Sequence, residues 1–283
     1  MRRVRGVRAF AIGFGLSGLL ALVWGFGIEP GRLVVEESEV ALPGCPPALD
    51  GLRIAILTDL HVGSPHNGLD RLDDVVEATA RARPDLIVLL GDLVIHGVLG
   101  GRFVAPEASA AKLGRLEAPL GVVSVLGNHD WWLDGRRVER ALESHGIAVL
   151  ENESLPLRRL GQRFHLAGLA DLWTRRVDFD AAFSEVEESE PVIVLTHNPD
   201  VFPDVPARTA ITLAGHTHGG QVWLPLVGRP VVPSKFGQRY AAGFIEENGR
   251  LMFVSSGVGM SILPVRFLVP PEVSIVTLRR GYR

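Results

Sequence analysis

The sequence predicts an α/β fold in which two mixed β-sheets pack against each other with helices on the outside. Three observations point to it: a β-α-β rhythm over residues 52–150, a helix-poor and hairpin-forming final third, and five apolar runs that each stop at Asp, His or Asn. With 283 residues the chain can bury a substantial core without cross-links. Its 47% hydrophobic and 22% charged residues exclude global disorder. A formal charge of −3 argues against bulk attraction to phosphate backbones, so no nucleic-acid partner is expected. Cys45 is the single cysteine, which excludes an intramolecular disulfide framework and any cysteine-rich metal cluster.

Residues 9–28 form a run without a charge, preceded by Arg2, Arg3, Arg5 and Arg8. As a helix the run would span about 30 Å, roughly one hydrocarbon core. The expectation is a basic N-terminus and transmembrane anchor over 1–28, with a cleaved signal peptide and a buried helix as alternatives. The run exceeds a usual signal h-region, and IEPGRL behind it has no small-x-small cleavage pattern. Five glycines weaken the buried-helix alternative. Arginines ahead of the run favour a cytoplasmic N-terminus and hence a body on the outer face. Without those arginines the chain holds 25 basic against 32 acidic residues.

Residues 29–51 read as a Pro/Gly-marked lead-in containing a candidate edge strand, LVVEESEV, and 52–283 as one catalytic domain. LRIAILTD at 52–59 is an apolar strand, and LDRLDDVVEATARA at 69–82 has helical spacing of Leu69, Leu72, Val75, Val76 and Thr79. Pro84 ends that helix, and DLIVLLGD at 85–92 starts the next strand. Helices near 107–118 and 134–145 alternate with a strand at 121–126. Further strands are expected at 147–150, 163–168, 191–196 and 210–214. Residues 219–239, rich in Gly and Pro, read as a surface loop. GFIEENGRLMFVSS at 243–256 has the form of a hairpin around Asn248-Gly249, and VSIVTLRR at 273–280 is a last strand.

The polar strand ends are Asp59-Leu60-His61, Gly91-Asp92, Gly127-Asn128-His129-Asp130, His197-Asn198 and Gly215-His216-Thr217-His218-Gly219. Alone, each fragment is weak, because a strand-end Asp is usually a turn or helix cap and a lone His usually structural. Together they supply carboxylates, an amide and imidazoles at the carboxyl ends of strands, where α/β folds assemble sites. That mixed N/O set without thiolate suits a pair of divalent ions, which about 3.5–4 Å apart could activate a hydroxide and clamp a phosphoryl oxygen. A GxSxG elbow, a P-loop and a Rossmann fingerprint are all absent.

In order, DLH, GDL, GNHD, the His197 of THNPD, and GHTH resemble the signature of the calcineurin-like metallophosphoesterase superfamily. The likeness covers about residues 50–280. THNPD, GHTHGGQVWLP and the tail GVGMSILPVRFLVPPEVSIVTL narrow it to bacterial YkuE/YaeI-like membrane-associated phosphoesterases. The resemblance implies a four-layer αββα sandwich. It implies one metal held by Asp59, His61, Asp92 and His218, and a second by Asp92, Asn128, His197 and His216. His129 would act catalytically, stabilising or protonating the leaving group, with Asp130 orienting it through a hydrogen bond. The ions would be two divalent metals, Mn first, with Fe, Zn, Co, Ni or Mg as alternatives.

The expected reaction is hydrolysis of a phosphodiester or pyrophosphate by metal-bound hydroxide, on a membrane-associated or lipid-linked substrate at the bacterial cytoplasmic membrane. Alternatives are a UDP-2,3-diacylglucosamine pyrophosphatase, whose cytoplasmic substrate would reverse the orientation, a phosphomonoesterase, and a non-catalytic metal-dependent scaffold. Weaker candidates for substrate contact are His66, His96, Trp131, Trp132, Gly219–Gln221, Arg102, Arg136, Arg137 and Arg239. His145 and His165 read as a helix-end and a strand residue. Oligomeric state stays open.

Overall fold

The computed structural model describes residues 13, 15–43 and 45–281. Residues 15–23 form a helix (α1) whose every residue is exposed, followed by a wide π-type turn at Trp24–Ile28 and a 3₁₀ turn at Glu29–Gly31. Residues 1–12 and 14, and with them part of the expected anchor, lie outside the described residues. Among those described, no helix is long and apolar enough to cross a membrane. The body begins at Trp24. Gly25 is buried, its carbonyl accepts the Arg266 N–H at 2.9 Å, and buried Glu29 accepts the Leu268 N–H at 2.7 Å.

The first sheet contains β1 (Val34–Pro43), β2 (Arg53–Leu57), β3 (Leu86–Leu90), β4 (Val122–Val125) and β5 (Ala148–Val149). The second contains β6 (Glu153–Arg159), β7 (Gln162–Gly168), β8 (Val192–Leu195), β9 (Ile211–Ala214), β10 (Gly243–Glu247) and β11 (Arg250–Val254). The chain then returns through β12 (Glu272–Gly281), giving sheet orders β1-β12-β2-β3-β4-β5 and β10-β11-β9-β8-β7-β6. β2 to β5 run parallel, as do β7, β8, β9 and β11. Every parallel strand in the middle of a sheet therefore delivers its carboxyl end to one edge of the sandwich.

The helices α2 (Leu69–Ala82), α3 (Pro106–Leu113) and α4 (Asn128–Glu143) cover the outer face of the first sheet. Leu72, Val75 and Val76 of α2 bury the expected stripe, and Arg83 ends the helix in the left-handed region ahead of Pro84. Between the sheets, Ile54, Ile56, Val88 and Leu90 meet Phe164, Leu166, Ile193 and Leu213 in a dry core. Burial of each such side chain contributes about 1.5–3 kcal/mol. The outer face of the second sheet is thinner, covered by the single turn α5 (Phe179–Ala182) and by buried Phe202 and Tyr240 from 3₁₀ and loop segments. The fold is the αββα sandwich, with one helical layer reduced.

Three elements differ from expectation. The lead-in is woven into the body: β1 pairs with β12 along ten residues, and Leu42, Cys45, Ala48 and Leu49 are buried in the inter-sheet core. The helix expected near 134–145 starts six residues earlier, inside the GNHD motif. It kinks at Asp134, whose carboxylate caps the second segment through the Arg137 N–H at 3.1 Å. Strand β6 is additional, an edge strand of alternating exposed and half-buried residues paired antiparallel with β7.

Candidate metal centre

All nine motif residues converge at the carboxyl edge of the sandwich, and all nine are buried. Asp59 and His61 follow β2, Asp92 follows β3, and Asn128, His129 and Asp130 open α4 behind β4. His197 follows β8, and His216 and His218 follow β9. Five of them, Asp59, His61, Asp92, His216 and His218, have φ between 38° and 71°. The left-handed region is uncommon for side-chain-bearing residues and concentrates at functional sites. It is what allows a strand to turn abruptly and aim its last side chain across the edge.

Space is made by glycine. A Cβ on Gly127 would stand 2.7 Å from the Asp92 amide nitrogen and 2.8 Å from the His197 ring, and one on Gly215 2.7 Å from Asp59 Oδ2. These are the glycines of GNHD and GHTH.

Two trios form. In one, His218 Nε2 lies 3.3 Å from Asp59 Oδ1 and 3.1 Å from His61 Nε2. In the other, His197 Nε2 lies 3.3 Å from Asp92 Oδ2, 3.2 Å from Asn128 Oδ1 and 3.1 Å from His216 Nδ1. Asp92 Oδ2 is also 3.5 Å from His61 Nε2, so one carboxylate oxygen faces both trios.

The orientation of these groups fits cations. His61 Nδ1 lies 3.2 Å from the Val94 carbonyl, and His197 Nδ1 lies 2.7 Å from that of Leu90. A ring donating there leaves its Nε2 lone pair facing the other acceptors, the usual arrangement behind metal-binding imidazoles. Thr58 Oγ1 and the His216 N–H both donate to Asp59 Oδ2, leaving Oδ1 buried without a partner and turned to the first trio. Lone pairs crowded against one another in a dry site are repulsive unless positive charge sits among them.

Protons show the same deficit. Burial would lower His197, yet Asp92 and Asp59 beside it push it up to about 10. Burial lifts Asp59 to about 6, while burial takes His61 and His216 down to about 3 and His218 well below its ordinary value. Burial also works upward on Asp92, but attraction to His197, His61 and His129 holds it well below the carboxylate range. One imidazole of the cluster thus holds a proton against burial, while burial keeps the other three neutral and able to offer lone pairs.

His129 lines the cavity above the trios and is lowered by burial. Asp130 does not orient it by a hydrogen bond. Its carboxylate accepts the N–H groups of Gly127, Asp92, Leu93 and Val94 at 2.8–3.2 Å, and His129 Nδ1 has no partner. Burial and the neighbouring Asp92 push Asp130 up to about 7, against four amides that favour its charged form. Its geometry makes it a brace that ties the start of α4 to the turn carrying Asp92. The aromatic rings approach instead: Trp132 packs 4.8 Å from His129, His96 5.8 Å from His129, and Trp173 4.3 Å from His216, centroid to centroid.

Of the weaker candidates, His96, Trp132, Gly220 and Gln221 line the cavity. Trp131 instead packs on the core and under the Arg175 guanidinium. His66 reaches the Phe26 carbonyl, and Arg136, Arg137 and Arg239 pair with Glu139, Glu107 and Glu247. His145 sits at the end of α4 and His165 pairs with Glu190.

Sequence reasoning missed three residues. Asp171, buried after β7, accepts the Trp173 N–H at 3.1 Å and so holds the ring that packs on His216. Trp173 itself sits in LADLW, where only its place behind a strand was available as a signal. Arg266, fully buried, donates to the carbonyls of Ser256, Gly257, Gly259 and Val269, and the Gly259 N–H in turn donates to the Asp59 carbonyl at 2.7 Å.

Residues 52–227 match the Calcineurin-like phosphoesterase family. The chain is 31% identical over 273 residues to the uncharacterized metallophosphoesterase YkuE of Bacillus subtilis, covering 93% of each. It is 33% identical to the phosphodiesterase YaeI of Escherichia coli, over 80% of this chain and 82% of that one. To the UDP-2,3-diacylglucosamine pyrophosphatase LpxG of Chlamydia trachomatis it is 27% identical, over 91% and 93%.

Proposed function

The chain belongs to the calcineurin-like phosphoesterase family and is a metal-dependent phosphoric ester hydrolase; from that premise we propose that it uses two divalent ions to cleave a phosphodiester or pyrophosphate bond in a membrane-associated substrate. The observation that carries the two-ion reading is the single Asp92 oxygen facing both trios. Asp59, His61, Asp92 and His218 would hold one ion, and Asp92, Asn128, His197 and His216 the other. When bound, such ions supply Lewis acidity that neutralises phosphoryl oxygens and lowers the pKa of water. Manganese is the first choice for so mixed a nitrogen and oxygen set.

In the reaction a water oxygen bonds to phosphorus, the P–O bond to the leaving group breaks, and the leaving oxygen ends with a proton. His129, held neutral by burial, offers an N–H to that oxygen as charge develops there. Trp132 and Trp173, each about half exposed, form an apolar wall on one side of the cavity. Asp130 keeps the Asp92 turn in place.

The chain's likeness to a phosphodiesterase and to a UDP-2,3-diacylglucosamine pyrophosphatase supports both bond types as candidates. Manganese-loaded protein should hydrolyse an aryl phosphodiester, and chelation should abolish turnover. Asp92→Asn should lose both ions by elemental analysis. His129→Ala should keep them while kcat falls by about 10²–10⁴. Failure of loaded, folded protein on diesters, monoesters and pyrophosphates alike would sink the reading. The uncharged run behind four arginines supports attachment to the cytoplasmic membrane with the body outside. External protease should then cut the body in intact cells, and protection would place it inside.

A further inference from the structure

The cavity above the metal residues has a volume of about 610 Å³, more than a phosphoryl group fills. Its floor is the ligand cluster and one side is the Trp132–Trp173 pair. The opposite side is formed by two loops, residues 221–233 and 261–265, which contribute Val222, Pro230, Val231, Ile262, Leu263 and Val265. Among the described lining residues no Lys or Arg reaches into this space, and Asp92 on the floor is the sole carboxylate. Gln221 and Ser261 also line these loops, but the Gln221 amide is used within the wall itself, accepting the Ser261 N–H at 2.6 Å and donating to the Leu263 carbonyl. A sugar or base resting there would leave most of its polar groups unpaired. Hydrocarbon would not.

The two loops are zipped together. The Trp223 N–H donates to the Phe267 carbonyl and the Phe267 N–H to the Gln221 carbonyl, both at 2.8 Å, and the Gln221 side chain donates to the Leu263 carbonyl at 3.1 Å. The same wall is fixed to the membrane-directed segment. Val265 packs against Gly25, the Arg266 N–H holds the Gly25 carbonyl, and the Leu268 N–H holds the Glu29 carboxylate. The exposed apolar helix over 15–23 thus leaves the body beside the cavity wall. The rim is also apolar and open: of its lining residues Val231 is 73% exposed and Ile262 71%, and Leu226, in the same 221–233 loop as Val231, is fully exposed. Exposed apolar residues of this size in one neighbourhood mark a contact surface.

We propose that this wall is a hydrocarbon-binding site, which takes the acyl or alkyl chain of a phosphate ester directly from the bilayer to which the proposed N-terminal anchor would attach the body, with Leu226, Val231 and Ile262 dipping into that bilayer. It rests on the reading of the site as a phosphoesterase centre and names the substrate class: an amphiphile with its phosphate on the floor and its chain along the two loops.

Full-length protein in lipid nanodiscs, manganese-loaded, is given p-nitrophenyl alkyl phosphates with chains of increasing length. A matching series in metal-free protein uses an alkyl phosphate carrying a photoreactive diazirine on the chain, followed by peptide mapping. With substrate supplied as aqueous monomers, the expected result is a kcat/KM that climbs by roughly tenfold per two methylenes until the wall is covered. A climb that variants in the wall keep in full is partition into the nanodisc alone and overturns the site. Labels should fall within residues 221–233 and 261–265. In Val231→Asp and Ile262→Asp, both exposed enough to fold normally, the climb should flatten by at least tenfold at the longest chain. A flat chain-length series, or labels confined to residues 15–28 or scattered over the body, overturns the hydrocarbon site while turnover of the methyl ester leaves the phosphoesterase reading standing. Absence of turnover for every member overturns both.

Discussion

Five of the site residues hold left-handed backbone, each at a cost of roughly 1–2 kcal/mol for a residue other than glycine. To this the metal-free site adds buried imidazoles kept neutral. His216 illustrates the sign. Its folded pKa of about 3 lies below the ordinary 6.5, so the unfolded chain binds more protons between those values. Stability from this group is present above pH 6.5 and is lost as pH falls toward 3. In metal-free protein, His216→Asn should therefore gain thermal stability relative to wild type as pH drops from 7 to 4. A difference in Tm that stays constant over that range would show that His216 titrates normally. Loss of metal on acidification follows from the same competition between protons and cations.

At the level of elements, the strand ends were legible because each is an apolar run cut off by a polar group that a core would not tolerate without a purpose. Gly127 and Gly215 belong to that logic, since the ligands crowd where a Cβ would stand. Gly127→Ala should cost about 1–3 kcal/mol by overpacking and displace Asp92 and His197. A Tm lowered by several degrees together with reduced metal content would show it, and an unchanged metal content would argue against the crowding. Other features were hidden for physical reasons. β6 carries Pro156 and three charges on an edge, which conceals its alternation. Arg266 looks like a surface residue in sequence, because backbone carbonyls brought together only by folding are what satisfy it. The cavity wall joins loops some 30 residues apart, so no local pattern announces it.

For the molecule as a whole, the segment ahead of residue 52 contributes packing and a strand to the body. The body's first contacts are Gly25 and Glu29, and its first strand is β1. A chain beginning at residue 24 should match the stability of the intact body. One beginning at residue 32 should melt lower by on the order of 5 °C, from lost hydrogen bonds to a carboxylate and the exposed end of the 259–268 loop. Equal melting of the two truncated chains would make the Trp24–Gly31 turn an accessory.

Each trio draws from both sheets: Asp59 and His61 stand opposite His218, and Asp92 opposite His197 and His216. No ion can then be held by either half of the chain alone. The coordination sphere comes into existence only when β9, more than 150 residues downstream of β2, has docked against the earlier layer. An ion so held would clasp the two sheets together through ligands that stand far apart in the chain, and its removal should loosen the contact between the layers.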